Sequence, residues 1–109
     1  MNGGDFEKIA PIEDFPEVNP ASIVLSSGEE LCLVRLGEEV YAIAEECPHC
    51  EFPMSDGAMV DEYVIECGMR GCQFDVRDGS VLEPPATEPI QSYQVKIVDG
   101  EVTVRTEPT

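Results

Sequence analysis

The residues with the most distinctive chemistry are five cysteines and a single histidine, and four of the cysteines fall with or near that histidine in two short stretches. The first reads Cys47-Pro48-His49-Cys50 and the second Cys67-Gly68-Met69-Arg70-Gly71-Cys72. Thiolates and a neutral imidazole are the ligands that iron-sulfur clusters and zinc select, and two short-spaced groups on separate loops can clamp one site from both sides. Burial of these cysteines as small hydrophobes is the plainer alternative, and their density argues against it. An odd number of cysteines cannot all pair internally, and without an export signal they point to metal or catalysis rather than to a disulfide framework. The lone His49, once committed to metal, leaves no general base for a nucleophile, and there is no Gly-rich phosphate loop, so hydrolysis and group transfer are excluded and the chain is not an enzyme by itself.

The elements that must position these loops are strands. Strand-like segments recur at 22–25, 31–36, 40–44, 63–67, 74–76, 93–98 and 101–105. Turn signals separate them: Ser27-Gly28, Gly37-Glu38, Asp78-Gly79 and Asp99-Gly100, the last placed as a two-residue hairpin turn. No window of a dozen residues holds a 3.6-residue apolar period, so at most a helical turn is expected near Pro11 to Phe15. The expected class is all-β. Two longer irregular stretches, 46–62 and 67–73, carry four of the cysteines and the histidine, and long loops in a compact domain are usually functional. A third, 82–90, holds Pro84, Pro85 and Pro89 and should be stiff, either a lid or a rigid connection.

With 109 residues and a hydrophobic fraction of 42%, the chain has the size and apolar content of one domain, expected to span 1–109. Its longest apolar runs are far shorter than the ~20 residues that cross a bilayer, and residues 1–10 show no secretory or transit pattern, so a cytoplasmic location is expected. Twenty-three acids against six bases give a net charge of −17, which repels nucleic acid and anionic lipid, favours a monomer, and suits either plain solubility or a basic protein partner.

The spacing then becomes specific. Cys47-x-His49, seventeen intervening residues, Cys67-x-x-Arg70 followed by Gly71, and Phe74 after two more residues resemble the pattern of Rieske ferredoxins, in which a histidine stands where Arg70 stands here. The flanks are similar too: Met54-Ser55-Asp56-Gly57 after the first loop, Phe74-Asp75-Val76-Arg77-Asp78-Gly79 after the second, and Pro84-Pro85 in the place of the family's proline loop. The resemblance covers nearly the whole chain and implies a Rieske-like antiparallel β-sandwich with a cluster-binding subdomain at about 46–85, made of two loops and a proline loop.

It also implies a [2Fe-2S] cluster. In that family two Cys thiolates hold one iron and two neutral His nitrogens hold the other, which raises the reduction potential. Carried over, Cys47 and Cys67 would hold the inner iron and His49 the outer, with Arg70 at the fourth position. A guanidinium is protonated at all accessible pH values and offers no lone pair. Four completions stay open: Cys72 or Cys50 as ligand, Arg70 itself, a position open to water, or no cluster. Retention of Cys47, His49 and Cys67 beside two further thiols favours a bound cluster. The respiratory members of the family carry a disulfide between their two loops, which here would join Cys50 to Cys72, and a reducing cytoplasm disfavours it. Cys32, inside an apolar run, reads as core.

The function implied is that of the ferredoxin component of an aromatic-ring oxygenase system, carrying single electrons from a flavin-dependent ferredoxin reductase to a terminal oxygenase. The alternative is a cluster-free Rieske-fold binding subunit, like the small subunit of assimilatory nitrite reductase. A structural zinc site on Cys47, His49, Cys67 and Cys72 would satisfy tetrahedral coordination and leave the flanking motifs unexplained.

Overall fold

The computed structural model describes residues 6–46, 53–67, 72–83 and 89–108. Among them lie ten strands, two single turns of 3-10 helix at Ile12–Asp14 and Met54–Asp56, and no α-helix. The strands are β1 (Phe6–Pro11), β2 (Ala21–Val24), β3 (Glu30–Leu36), β4 (Glu39–Ala44), β5 (Ala58–Asp61), β6 (Val64–Glu66), β7 (Gln73–Asp75), β8 (Val81–Glu83), β9 (Ser92–Val98) and β10 (Glu101–Pro108). They form a six-stranded sheet in the order β1-β10-β9-β4-β3-β2 and a four-stranded sheet in the order β5-β6-β7-β8. Every pair of strands is antiparallel, as the expected antiparallel β-sandwich requires.

The apolar run Leu31 to Val34 is buried without a break, which an ordinary half-exposed strand would not need. Alternation explains it. Leu31 and Leu33 join Phe15, Val40, Ala42, Tyr93, Val102 and Val104 in one core, while Cys32 and Val34 join Ile43, Met54, Ile65, Phe74 and Val76 in a second. The β3–β4 hairpin is therefore a wall shared by two cores. The large sheet lies over the first, and the small sheet packs on the second.

Turn chemistry closes the hairpins. Asp99 and Gly100 have φ of 53° and 78°, the left-handed pair that matches the twist of β9 and β10. Arg35 fastens the segment before β2 to the β3–β4 turn: its Nε donates to the Gly37 carbonyl at 2.8 Å and its Nη1 to the Phe15 carbonyl at 3.3 Å.

Three strands differ from the sequence expectation. β5 lies inside the stretch 46–62 expected to be irregular, β8 overlaps the start of the proline-rich stretch, and β1 precedes the first expected strand. Each is an edge strand of its sheet, held by pairing with a single neighbour rather than by its own residues, β1 by the distant β10 and β5 and β8 by the adjacent β6 and β7. The helical turn expected near Pro11 to Phe15 is the 3-10 turn Ile12–Asp14. No helix among the described residues is long and apolar enough to cross a membrane.

Candidate metal centre

The first cysteine loop leaves β4 through Glu45 and Glu46 and returns at Pro53. Its mouth is closed by an antiparallel bridge between Glu46 and Pro53, and by the Met54 amide donating to the Glu45 carbonyl at 2.6 Å. Glu45 is the one charged residue among those described that is buried, at 8% exposure. Its carboxylate accepts from the Ser55 amide at 3.1 Å and from the Ser55 hydroxyl at 2.5 Å, so the buried charge is held by donors from the far side of the loop. Burial, and then the charge of Glu45, push the Cys32 thiol well above its ordinary range. Cys32 is thus a neutral, fully buried sulfur of the core, as expected.

The second loop leaves β6 at Cys67 and re-enters β7 after Cys72. Register decides how these two face. Val64 pairs with Asp75, Ile65 with Phe74 and Glu66 with Gln73, so the next rung sets Cys67 opposite Cys72. The Cys67 amide donates to the Cys72 carbonyl at 2.8 Å, which extends the ladder by that rung. Alternation puts both cysteines on the face of Ile65 and Phe74, and directly opposed residues have Cβ atoms about 4.5–5.5 Å apart. Cys67 is 2% exposed and Cys72 is fully buried.

The two loop mouths meet in one place. Ile43 and Met54 flank the first, Cys67 and Cys72 form the second, and all four belong to the same buried cluster. Gly57 permits the approach, because a Cβ there would sit 2.1 Å from the Glu66 carbonyl oxygen at the end of β6. The stretch Phe74 to Gly79 is a braced turn. Asp75 accepts from Arg77 Nε at 3.0 Å and Nη2 at 2.7 Å, and this bidentate pair holds the Asp75 carboxyl below its usual range. The Ile90 amide donates to the Gly79 carbonyl at 2.9 Å, drawing the chain after the prolines back onto the small sheet.

Cys67 and Cys72 are brought together, while Cys47, His49, Cys50 and Arg70 lie outside the described residues, as do Pro84 and Pro85 of the expected proline loop, and the disfavoured Cys50–Cys72 disulfide falls there with Cys50. Among the described residues no group of three His, Cys, Asp or Glu side chains is set to hold a metal ion. The sulfur donors nevertheless suit an iron-sulfur cluster, since two thiols share one face at a dry, apolar wall. Glu45 and Ser55 were not singled out from sequence as a pair. The available signal was their position, two residues before Cys47 and inside the motif that follows the first loop.

Two loops mounted on hairpins above a shared core, with paired cysteines at one mouth, define an iron-sulfur protein of the Rieske kind. The chain belongs to the Rieske-like [2Fe-2S] domain family, which it matches over residues 5–105. It is 31% identical over 100 residues to the ferredoxin subunit of anthranilate 1,2-dioxygenase from Burkholderia cepacia, covering 92% of this chain and 91% of that one. Among solved structures, it superposes with a TM-score of 0.88 and 29% identity on the ferredoxin of carbazole 1,9a-dioxygenase from Nocardioides aromaticivorans IC177, covering 94% of this chain and 98% of that one. A ferredoxin seen in complex with the reduced oxygenase of carbazole 1,9a-dioxygenase gives the same TM-score at 28% identity, covering 99% and 98%.

Proposed function

We propose that this protein is a one-electron carrier that takes electrons from a flavin-dependent reductase and delivers them to a terminal oxygenase. It does not itself transform a substrate, in keeping with the ferredoxin subunits it is similar to. The observation that carries this reading is the Cys67–Cys72 rung at the mouth of the second loop, set in the same buried cluster as the base of the first. A [2Fe-2S] cluster held there would supply the one-electron chemistry.

Cys47 and Cys67 are assigned to the inner iron and His49 to the outer. The fourth position goes to Cys72, whose side chain shares a face with that of Cys67, and Arg70 contributes a nearby cation rather than a lone pair. The residues around them do the rest. Ile43, Met54, Ile65 and Phe74 exclude water, and the Glu45–Ser55 pair holds the mouth of the first loop shut. With a net charge of −17 the encounter with each partner is steered by a basic docking surface and weakens with salt, which suits fast release. The same charge keeps the chain monomeric, and the whole of 1–109 acts as one cytoplasmic domain.

The test is iron and acid-labile sulfide analysis of anaerobically purified protein, with an EPR spectrum after dithionite reduction. Two irons and two sulfides per chain with a rhombic signal support the reading. A colourless protein without iron after reconstitution overturns it in favour of a cluster-free binding subunit.

A further inference from the structure

A cleft of about 500 Å³ opens between the β3–β4 turn and the β5–β6 turn. Its floor is Leu36, Met59 and Tyr63, all partly buried against the second core. Two valines form its lip, Val18 at 51% exposure and Val60 at 48%. Val18 is also held at φ 75°, a left-handed conformation that strains a β-branched residue. The surroundings enforce it: the Val18 amide donates to the Arg35 carbonyl at 2.8 Å, and the backbone of Glu17 forms a parallel β-bridge with that of Arg35. An exposed apolar side chain is thus held in place by its neighbours at the edge of an apolar cleft.

The rim carries Glu39, Asp61 and Glu62. The two arginines that touch cleft residues are already engaged. Arg35 points its guanidinium at backbone carbonyls, and Arg77 is paired with Asp75 and stacked 4.1 Å over the Tyr63 ring. An apolar floor inside an uncompensated acidic rim selects an apolar side chain flanked by cations, and a methionine in the floor adapts to its shape.

The cleft is also placed away from the cysteine loops. The Leu31–Ala44 rung lies at the end of the β3–β4 hairpin that feeds the first loop, and the Leu36–Glu39 rung at the turn. Five residues separate them, about 17 Å at ~3.4 Å per residue. In the β5–β6 hairpin the Ala58–Glu66 rung likewise lies at the loop end and the Asp61–Val64 rung at the turn.

We propose that this cleft is a second docking surface, which anchors a basic segment bearing leucine-like side chains on a protein partner while the cysteine-loop end stays open. Partner contact is then divided between an anchor and an electron-transfer face, so a carrier can stay tethered to one protein while it reacts.

The test uses the full, cluster-loaded chain labelled with 15N and the blocked peptide Lys-Arg-Leu-Leu-Arg-Lys. Saturable amide shifts at Val18, Gly37, Met59, Val60 and Tyr63 are expected, far enough from the loops to escape paramagnetic broadening. The Lys-Arg-Gly-Gly-Arg-Lys peptide and the D61N/E62Q variant should each weaken binding by roughly fivefold or more. Val18→Gly relieves the backbone strain, so it should keep or raise the Tm while weakening binding of the leucine peptide. Equal binding of both peptides with shifts spread over the acidic surface, or shifts centred on 45–46, 53–57 and 66–67, would overturn the proposal. Peptide binding does not depend on electron transfer, so its failure is separable from failure of the carrier reading.

Discussion

Cys67 and Cys72 oppose each other as the last rung of the β6–β7 ladder, with the Cys67 amide 2.8 Å from the Cys72 carbonyl and both side chains buried. Two sulfurs so placed can reach one metal site, although the Rieske pattern uses only the first. Cys67→Ser should abolish colour and iron content. Cys72→Ala should leave a cluster with altered g-values and weaker iron retention, whereas Arg70→Ala should leave the spectrum close to that of the parent. The reverse order, Arg70→Ala altering the spectrum and Cys72→Ala leaving it unchanged, would show that the arginine position is the ligand.

Glu45 places a buried negative charge two residues before Cys47. Surface acids are screened by water and salt, and a charge at 8% exposure is screened much less. Glu45→Gln keeps an acceptor for Ser55 and removes the charge, so the reduction potential should rise, on the order of tens of mV for ~1 kcal/mol. Spectroelectrochemistry in low and high salt reads this, and a rise that vanishes at high salt would mean the charge acts from the surface. Ser55→Ala leaves the carboxylate short of a donor and should cost about 1–3 kcal/mol in chemical denaturation.

Gly57 lies against the Glu66 carbonyl with no room for a methyl group. Gly57→Ala must push the first loop's base away from β6, at about 1–3 kcal/mol by thermal unfolding. Iron retention should fall with it, because the same contact joins the two loop mouths. An unchanged Tm would show that the backbone yields there without strain.

Tyr41 donates to Glu39 at 2.5 Å, and that bond, with burial adding to it, pushes its hydroxyl up to about 12. An unfolded tyrosine titrates near 10. A raised folded-state value means the contribution is fully present below about pH 10 and is lost as pH rises through about 12. Stability measured by denaturant should therefore fall across that window, and Tyr41→Phe should flatten part of the fall. Tyr93, raised by burial and by its bond to Glu29, and Cys32, raised by burial, contribute to what remains.

Much of this was legible in the chain, for a local reason. Turn residues act on their own backbone, so Asp99-Gly100 announced its hairpin and Ser27-Gly28 its turn. Strands β2, β3, β4, β6, β7, β9 and β10 each carried enough β-branched and apolar residues to be expected within a residue or so at their starts. The cysteine and histidine spacing pointed to the Rieske family because metal ligation tolerates few residue types.

What the sequence determined by itself was the class of fold, the pair of cysteine loops and the kind of cofactor they suit, since each depends on residue type and short spacing. The tertiary structure decided what depends on partners distant in sequence. Edge strand β1 exists because the distant β10 pairs with it, and the unbroken apolar run of β3 is split between two cores by a second sheet that no periodicity of the run could reveal. Cys72 turned inward beside Cys67 because the β6–β7 register, counted from Val64 and Asp75, placed them on one rung, and the acidic cleft formed only where two hairpin turns came to lie together. Hydrogen-bond register and sheet packing are relations between segments, and a single segment does not contain them.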